Sequence, residues 1–359
     1  MFCGPTGLQP AADLLFINDG SGGFLPVAGD SAPSVKPGFG LGVIAFDFNR
    51  DGFEDIYVAN DSSPNFLLQN KRGKTFRDVG VLSGAATAGD GRNQSGMGVA
   101  AGDIDGDGFE DLVVTNFSDD YSTLYRNDGG LVLEDVSDPW GLVAPTFAKL
   151  GWGASIADLD NDGWPDLVFA SGHVYPQADD SPSATRYRQT NQVFRNLGKG
   201  RFEDITGKAG PGLGVLRSFR GLVTGDLDGD GDLDLVFSAI DDPPLLLENA
   251  SKKTNHFLSV LPRLRGGSGS HLEPGRLALG SVVTVVAGGR QQIRYARTSG
   301  SYLSSVAAPL HFGLGGESKV QEVRVRWPDG TEEVVAKDLP ADRLITVVQS
   351  SIKPAAEKE

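Results

Sequence analysis

Carboxylate side chains are concentrated in four nine-residue blocks that share one frame. Each block has Asp at its first position, Asp or Asn at the third, Asp at the fifth, Gly at the sixth and Asp at the ninth. The blocks read DFNRDGFED from Asp47, DIDGDGFED from Asp103, DLDNDGWPD from Asp158 and DLDGDGDLD from Asp226. A frame that returns four times is an internal repeat, so each block must be interpreted as one copy of a unit.

The chemistry that this frame suits is the binding of a hard divalent cation. Ca²⁺ takes about six to eight oxygen ligands from carboxylates, backbone carbonyls and water. In a tight loop the side chains at positions one, three and five would point into one concavity, and a carbonyl at position seven and the Asp at position nine would complete the set. Position twelve carries Val or Phe instead of the Glu of helical calcium loops, so a loop that enters a strand is predicted.

Each block thus supplies four predicted side-chain ligands and one predicted carbonyl ligand. The side-chain ligands are Asp47, Asn49, Asp51 and Asp55; Asp103, Asp105, Asp107 and Asp111; Asp158, Asp160, Asp162 and Asp166; and Asp226, Asp228, Asp230 and Asp234. The carbonyl ligands are those of Phe53, Phe109, Trp164 and Asp232. Up to four Ca²⁺ ions are expected, because carboxylates this close repel one another unless a cation or protons neutralise them. An acidic solvated turn is the alternative interpretation of a single block, and its repetition in register argues against that alternative.

The residues around the blocks predict short antiparallel strands. Gly40, Gly96 and Gly151 precede the first three blocks by seven residues, and β-branched runs such as LVVTN and LVFAS follow them. Further on, an Asn stands six residues before a bulky apolar residue, and Asn18 and Phe24 repeat this spacing with no block before them. Gly-punctuated strands in repeats of this kind are typical of an all-β protein built from β-propeller blades.

The predicted domains follow from these elements. The propeller repeats cover residues 1–252, with a partial blade at 1–30 and blades near 40–80, 96–137, 151–206 and 219–250. Residues 255–349 alternate apolar and polar residues between Gly and Pro turns, which predicts a small antiparallel β-sandwich, and residues 350–359 are expected to be frayed. In the sandwich we expect Trp327 to be a core or turn anchor and His311 to be a packed histidine.

Charge and hydropathy exclude two classes of partner. The net charge of −15 divides into −18 for residues 1–254 and +3 for the remainder. Nucleic-acid binding needs a cationic surface, which the acidic repeats do not offer. No apolar run reaches the roughly 18 residues that a membrane-spanning helix requires, so no membrane span is expected.

The blocks resemble the FG-GAP/VCBS repeats of integrin-α-like propellers. In the C-terminal part, SGSYLSS, LHFGLGG and VRVRWPDG resemble the ASPIC/UnbV domain of the cartilage acidic protein family and its bacterial relatives. The resemblance implies Ca²⁺ held by the aspartates in hairpin loops, and a secreted, periplasmic or cell-surface location. Because members of the family have more repeats and begin with a secretion signal, the chain is expected to lack N-terminal blades.

No catalytic motif is visible, and one long insertion is the best candidate for a ligand loop. Residues 172–192 in the third repeat contain His173, Tyr175, Arg186, Tyr187 and Arg188, and loops are where such scaffolds place function; a variable surface excursion is the alternative. We expect a non-catalytic calcium-binding module that serves in adhesion or as an interaction scaffold, with an unknown protein or glycan ligand. A calcium-dependent polysaccharide lyase or hydrolase, and a structural part of a larger assembly, stay open.

Overall fold

The fold is almost entirely β-structure, as the sequence predicts. The computed structural model describes residues 4–5, 7–27, 36–180, 182, 184–251, 254–266, 273–306 and 309–350. Its two α-helices, α1 (Gly80–Ser83) and α2 (Val143–Thr146), are single turns, and short 3₁₀ turns occur at Pro176–Asp180 and Pro211–Gly214. Among the described residues no helix has the length and apolarity to cross a membrane. Most of the frayed tail predicted at 350–359 lies outside the described residues.

The first part of the chain is a series of antiparallel sheets in which sequential strands are neighbours. A hairpin of β1 (Phe16–Asn18) and β2 (Phe24–Pro26) comes first. The first blade contains β3 (Gly40–Phe46), β4 (Asp55–Asn60), β5 (Phe66–Asn70) and β6 (Phe76–Asp78). The second contains β7 (Gly96–Gly102), β8 (Asp111–Asn116), β9 (Thr123–Asn127) and β10 (Leu133–Asp135). The third contains β11 (Gly151–Ala157), β12 (Asp166–Ser171), β13 (Gln192–Asn196) and β14 (Phe202–Asp204), and the fourth contains β15 (Phe219–Gly225), β16 (Asp234–Ala239) and β17 (Leu245–Leu247).

The recurring Asn and the apolar residue six positions later are cross-strand partners. Asn70 pairs with Phe76 in the first blade, and the same register recurs in the second and third blades. Asn18 pairs with Phe24 in the β1–β2 hairpin. This hairpin therefore has the register of the outer hairpin of a blade.

The blades form an incomplete propeller whose hydrophobic cores lie between neighbouring sheets. The inner strands β3, β7, β11 and β15 lie side by side in chain order. One core joins the first two blades through Ile44, Tyr57, Val99 and Leu112, and equivalent cores join the second to the third and the third to the fourth. Each blade thus buries its faces against its neighbours, as repeat sheets must, and the described strands do not close into a barrel.

Glycine in the inner strands is required by the close approach of the next blade. A Cβ at Gly98 would lie 1.9 Å from the carbonyl oxygen of Trp152 in the following inner strand. At the last blade, a Cβ at Gly221 would lie 2.7 Å from Oγ of Ser304 and 3.4 Å from the carbonyl oxygen of Tyr302, both in the C-terminal domain. A segment of that domain therefore packs closely against this inner strand.

The C-terminal domain is a sandwich of two four-stranded sheets. One sheet contains β18 (His256–Gly266), β19 (Glu273–Leu277), β22 (Leu310–Gly315) and β25 (Arg343–Val348), and the other contains β20 (Val282–Ala287), β21 (Arg290–Tyr295), β23 (Lys319–Arg326) and β24 (Glu332–Pro340). Trp327 is fully buried between the sheets, as predicted. The expectation of purely antiparallel sheets is wrong at one place, because β18 and β25 pair in parallel. After β24 the chain crosses from one sheet to the other, and it then runs in the same direction as β18.

Residues 299–304 of this domain lie across the inner strands of the propeller. This segment connects to the propeller by backbone hydrogen bonds between Ser301 and Val99, by Ala45 N–H to Ser299 Oγ (3.3 Å) and by Leu222 N–H to Ser304 Oγ (3.2 Å). These three contacts reach the first, second and fourth blades, so the segment holds the array together from its inner side.

Candidate metal centre and ligand loop

The four acidic blocks are hairpin loops that connect the first and second strands of the four blades. Each loop follows the inner strand directly and ends at the first residue of the second strand, so all four lie at the same end of the array. The glycine at position six has φ between 89° and 93° in the four loops. That conformation is the left-handed region, which glycine adopts without a steric penalty.

Carboxylates of each loop accept hydrogen bonds from the loop's own backbone, as the second loop illustrates. Asp103 accepts from the N–H groups of Gly106 (2.8 Å) and Gly108 (3.1 Å). Asp105 accepts from Asp107 N–H (3.1 Å), and Asp107 accepts from Phe109 N–H (2.8 Å). These bonds curl the backbone around the acidic side chains and fix their directions before any ion binds.

The Asp at position nine braces the hairpin. In the second loop Asp111 accepts from Ile104 N–H and from Asn127 N–H, both at 2.9 Å. The same two bonds recur at position nine of the other three loops, at Asp55, Asp166 and Asp234. Position nine is thus a structural acceptor as well as a predicted ligand.

A recurring Asn at or just after the end of each third strand braces the acidic loop of its own blade, and in the last three blades it also joins neighbouring blades, which its spacing in the sequence did not reveal. Its backbone N–H binds position nine of its own loop, and its Nδ2 binds the carbonyl of position eight. In the last three blades Nδ2 also donates to the carbonyl at position two of the preceding loop. These contacts are Asn127 to Phe48 (2.7 Å), Asn196 to Ile104 (3.1 Å) and Asn249 to Leu159 (2.8 Å).

Carboxylate oxygens converge in three of the four loops. Within each group the candidate ligand atoms all lie within 4.8 Å of one another. The groups are Asp103, Asp105 and Asp111; Asp158, Asp160 and Asp166; and Asp226, Asp228 and Asp230. The structure does not gather Asp47, Asn49, Asp51 and Asp55 of the first loop in this way among the described residues. There Nδ2 of Asn49 donates to Asp51 (3.2 Å), and Arg326 of the C-terminal domain lies 3.8 Å from Asp47.

Burial makes these loops unfavourable places for unpaired carboxylates. It raises the pKa of Asp103 to about 6 and that of Asp158 to about 7, where neighbouring Asp162 adds to the effect. It also raises the pKa of Asp111 and Asp166 well above the usual range. Without a cation the second and third loops therefore retain protons at near-neutral pH, and a cation that binds there must displace them.

The donors fit Ca²⁺. They are carboxylate and carbonyl oxygens with no soft ligand among them, which suits a hard cation. Oδ1 of Asp158 is buried and has no hydrogen-bond partner, so the loop leaves an acceptor ready for an ion. Arg126 and Arg195 pair with the position-three carboxylates of Asp105 (2.8 Å) and Asp160 (2.6 Å) and hold them at the loops.

The side chains at position seven of the third and fourth loops contact other parts of the protein. That the backbone carbonyls at this position are ligands stays a prediction. Trp164 stacks under the guanidinium of Arg290 at 3.8 Å. The sequence leaves the side chain of Asp232 without a role, but it is buried and accepts a hydrogen bond from Nδ2 of Asn161 (2.8 Å). Asp232 therefore connects the third and fourth loops.

The third loop is also the place where the C-terminal domain attaches. Nε2 of His311 lies 2.5 Å from Oδ1 of Asn161, and Asn161 accepts a backbone hydrogen bond from Gly315 (2.8 Å). Asn255 donates to the carbonyl of Asp160 (2.8 Å). Burial lowers the pKa of His311 to about 3, so this histidine is a neutral packing residue.

The predicted ligand loop lies at the opposite end of the array and divides into a packed part and an exposed part. His173 is buried, and its ring meets Phe117 at 5.3 Å and Tyr175 at 5.4 Å. Its backbone N–H donates to the carbonyl of Tyr187 (2.9 Å). These contacts anchor the loop on the second blade.

The two arginines of the ligand loop point away from this aromatic group. Arg188 pairs with Asp242 at 3.0 Å, and Arg186 is exposed. A different arginine, Arg220, lies at the base of the loop over the ring of Trp152 (4.4 Å) and donates to the carbonyl of Gly172 (3.1 Å). Nothing in the sequence singles out Arg220, because it lies on an inner strand, 47 residues after His173 in the chain.

Comparison with known proteins agrees with the repeat architecture. The FG-GAP-like repeat family model matches residues 47–114, 103–169 and 183–237, and two of these matches begin at the first Asp of an acidic block. The ASPIC and UnbV model matches residues 269–354.

Curated relatives carry the same name in several vertebrates. The chain is 27% identical over 332 residues to Cartilage acidic protein 1 of Homo sapiens, a match that covers 90% of this chain and 45% of that protein. The protein of the same name from Mus musculus is 27% identical over 319 residues, with 86% and 45% covered. The chain therefore spans less than half the length of these relatives.

A solved structure of an Agrocybe aegerita lectin that recognises non-reducing terminal N-acetylglucosamine is also similar. It has a TM-score of 0.30 and 19% identity, covering 67% of this chain and 75% of that chain, and nothing about a ligand of this chain follows from it. The two family models and the repeated loop geometry agree along most of the sequence. The chain belongs to the FG-GAP-like repeat proteins that carry a C-terminal ASPIC/UnbV domain.

Proposed function

We propose that this chain is a non-catalytic, calcium-stabilised binding or scaffold module of a secreted, periplasmic or cell-surface protein. The observation that supports it is the convergence of three carboxylates in each of three successive loops at one end of the array. Bound Ca²⁺ would neutralise these carboxylates and stabilise the hairpins. Asp103, Asp105 and Asp111 of the second loop would hold one ion, as would Asp158, Asp160 and Asp166 of the third loop and Asp226, Asp228 and Asp230 of the fourth.

Calorimetric titration of EDTA-treated protein tests the metal part. We expect at least two Ca²⁺ ions to bind, with dissociation constants of about 10⁻⁴–10⁻³ M as in other extracellular modules, and the melting temperature to rise with Ca²⁺. Mg²⁺ should bind less well, because it demands a smaller and more rigid octahedral site. Absence of heat and of a melting shift at several millimolar Ca²⁺ would refute the proposal.

The face opposite the metal loops is the proposed contact surface for a protein or glycan ligand. Trp152 lies near the start of β11 and Asp158 follows its end, so the two faces are about 20 Å apart at roughly 3.3 Å per residue. Arg220 lies over Trp152 there and Tyr302 packs on the same ring, while half-buried Phe117 and Tyr175 pack on His173. Partly exposed aromatic and arginine side chains are typical of interfaces.

Arrays of glycans and matrix proteins, probed with the wild type and with Tyr175→Ala, test this surface. The variant should lose binding while its calcium titration stays unchanged. Screening the same glycans for cleavage separates the module from a polysaccharide-active enzyme, since turnover that is lost with His173→Ala would favour the enzyme.

A further inference from the structure

A cavity of about 850 Å³ lies between the inner strands of the propeller and the C-terminal domain. Its walls come from β7, β11 and β15 on one side and from β21 and the 299–306 segment on the other. Small-molecule sites have volumes of roughly 300–1,000 Å³ and occur preferentially between domains. Size and position therefore suit a ligand of moderate size.

Two arginines of the C-terminal domain line this cavity, and one of them has a buried donor without a partner. Arg294 donates only to the carbonyl of Ile293 (2.9 Å) and weakly to Oε1 of Gln292 (3.4 Å), and it forms no ion pair with the described residues. Arg297 pairs with Glu110 through Nη2, while its buried Nη1 has no partner. Burying a guanidinium donor without a partner is costly, so Nη1 of Arg297 favours an acceptor in the cavity, and Arg294 supplies a second positive charge beside it.

The rest of the lining supports a ligand with a charged end and an apolar body. Ala100, Ala154 and Leu222 supply an aliphatic wall on the propeller side. The hydroxyl of Ser301 is buried at the cavity and also lacks a partner. A polar anchor with an apolar surround is the usual composition of a small-molecule site.

Five carboxylates line the cavity: Asp103, Asp158 and Asp226 are first positions of metal loops, Glu110 is position eight of the second loop and pairs with Arg297, and Asp342 belongs to the C-terminal domain. If these loops hold cations, which rests on the proposed function, each ion would offset two of the carboxylate charges and weaken their competition with a ligand for Arg294.

We propose that this cavity binds a small organic anion, a carboxylate or phosphate carried on an apolar body, with Arg294 and Nη1 of Arg297 as its anchors. Guanidinium groups bind both kinds of anion in the same planar geometry. The two head groups are therefore alternatives within one site, and matched probes distinguish them.

Calorimetry in the presence of Ca²⁺ tests the proposal. It compares the affinity for octanoate with that for neutral octanamide, and the affinity for phenyl phosphate with that for neutral phenol. At least one anion should bind at least tenfold more tightly than its counterpart. Arg294→Gln should weaken the binding of that anion at least tenfold, and Arg77→Gln, an exposed substitution on β6, should leave the binding unchanged. Equal affinity for anion and counterpart, or no binding by any probe up to several millimolar, would overturn the inference.

A second variant keeps the test valid if Arg294→Gln does not fold. Ser155 lines the cavity with its hydroxyl 3.2 Å from that of Thr224, so Ser155→Phe fills the space and leaves both arginines in place. Anion binding should be lost in this variant while Ca²⁺ still binds; retained anion binding would refute the location. Repeating the anion titration in EDTA separates the two proposals. If the loops bind no Ca²⁺ and the anion still binds through Arg294, the metal function is refuted and the cavity site stands.

Discussion

Replacing Asp158 by Asn should stabilise the metal-free protein and weaken the calcium-bound protein. Burial and neighbouring Asp162 raise the pKa of Asp158 from 3.8 to about 7. A carboxyl whose pKa is higher in the folded state contributes stability that is complete below pH 4 and is lost as the pH rises through 7. Asn has nearly the same shape and never ionises, so the variant avoids this loss in the absence of Ca²⁺.

The size of the effect follows from the same pKa. At about 1.36 kcal/mol per unit, the change from 3.8 to about 7 corresponds to about 4 kcal/mol above pH 8 and to between 1 and 2 kcal/mol at about pH 5. Relaxation and water entry reduce both figures. We therefore expect Asp158→Asn to raise the free energy of unfolding in EDTA by about 2 kcal/mol or more at pH 8, and by much less at pH 5.

Scanning calorimetry in EDTA and in Ca²⁺ at both pH values is the assay. In EDTA at pH 8 the variant should melt about 4 °C or more above the wild type, and in saturating Ca²⁺ it should melt below it. Asp138→Asn, which removes an exposed carboxylate outside the loops, is the control and should change neither value. A variant that melts lower in EDTA at pH 8, or that keeps the full calcium shift, would refute the reasoning.

Three further substitutions test contacts that join the blades, each by thermal or urea unfolding. Gly98→Ala should cost about 2–4 kcal/mol, because a Cβ there would lie 1.9 Å from the facing carbonyl, whereas Gly225→Ala meets nothing within 4 Å and should cost little. Asn196→Ala should cost about 1 kcal/mol more than Asn70→Ala, whose side chain makes no described bond to another blade; equal costs would contradict the link between blades. Asp232→Ala should lower stability with and without Ca²⁺, and a loss confined to Ca²⁺ would show that its inter-loop bond is unimportant.

The sequence was sufficient for whatever depends on residues close together in the chain. All predicted ligands of one site fall within nine residues, so their spacing defines the loop and the left-handed glycine at position six. The repeated register of Asn and its apolar partner defines the outer hairpin in the same way. In both cases a local pattern contains the whole geometry, and four copies make the pattern recognisable.

Contacts between distant parts of the chain could not be predicted. Asn161 receives its partners from β22 and from the fourth loop, and Ser301 pairs with Val99 across 202 residues. Arg294 and Arg220 occur in strands whose pattern gives no sign of a special role. Each of these roles depends on which surfaces the folded domains bring together, and no spacing in the sequence encodes that.

Aspartate number and preorganisation rank the four loops differently. The fourth loop has the most aspartates, five in nine residues. In the structure, the carbonyl at position two of each earlier loop is held by an Asn from the next blade, but among the described residues no Asn holds that of Leu227, which is 58% exposed. Because the rigidity of a site sets calcium affinity together with ligand charge, the second and third loops should bind most tightly. The blades that surround a loop then matter as much as its own aspartates.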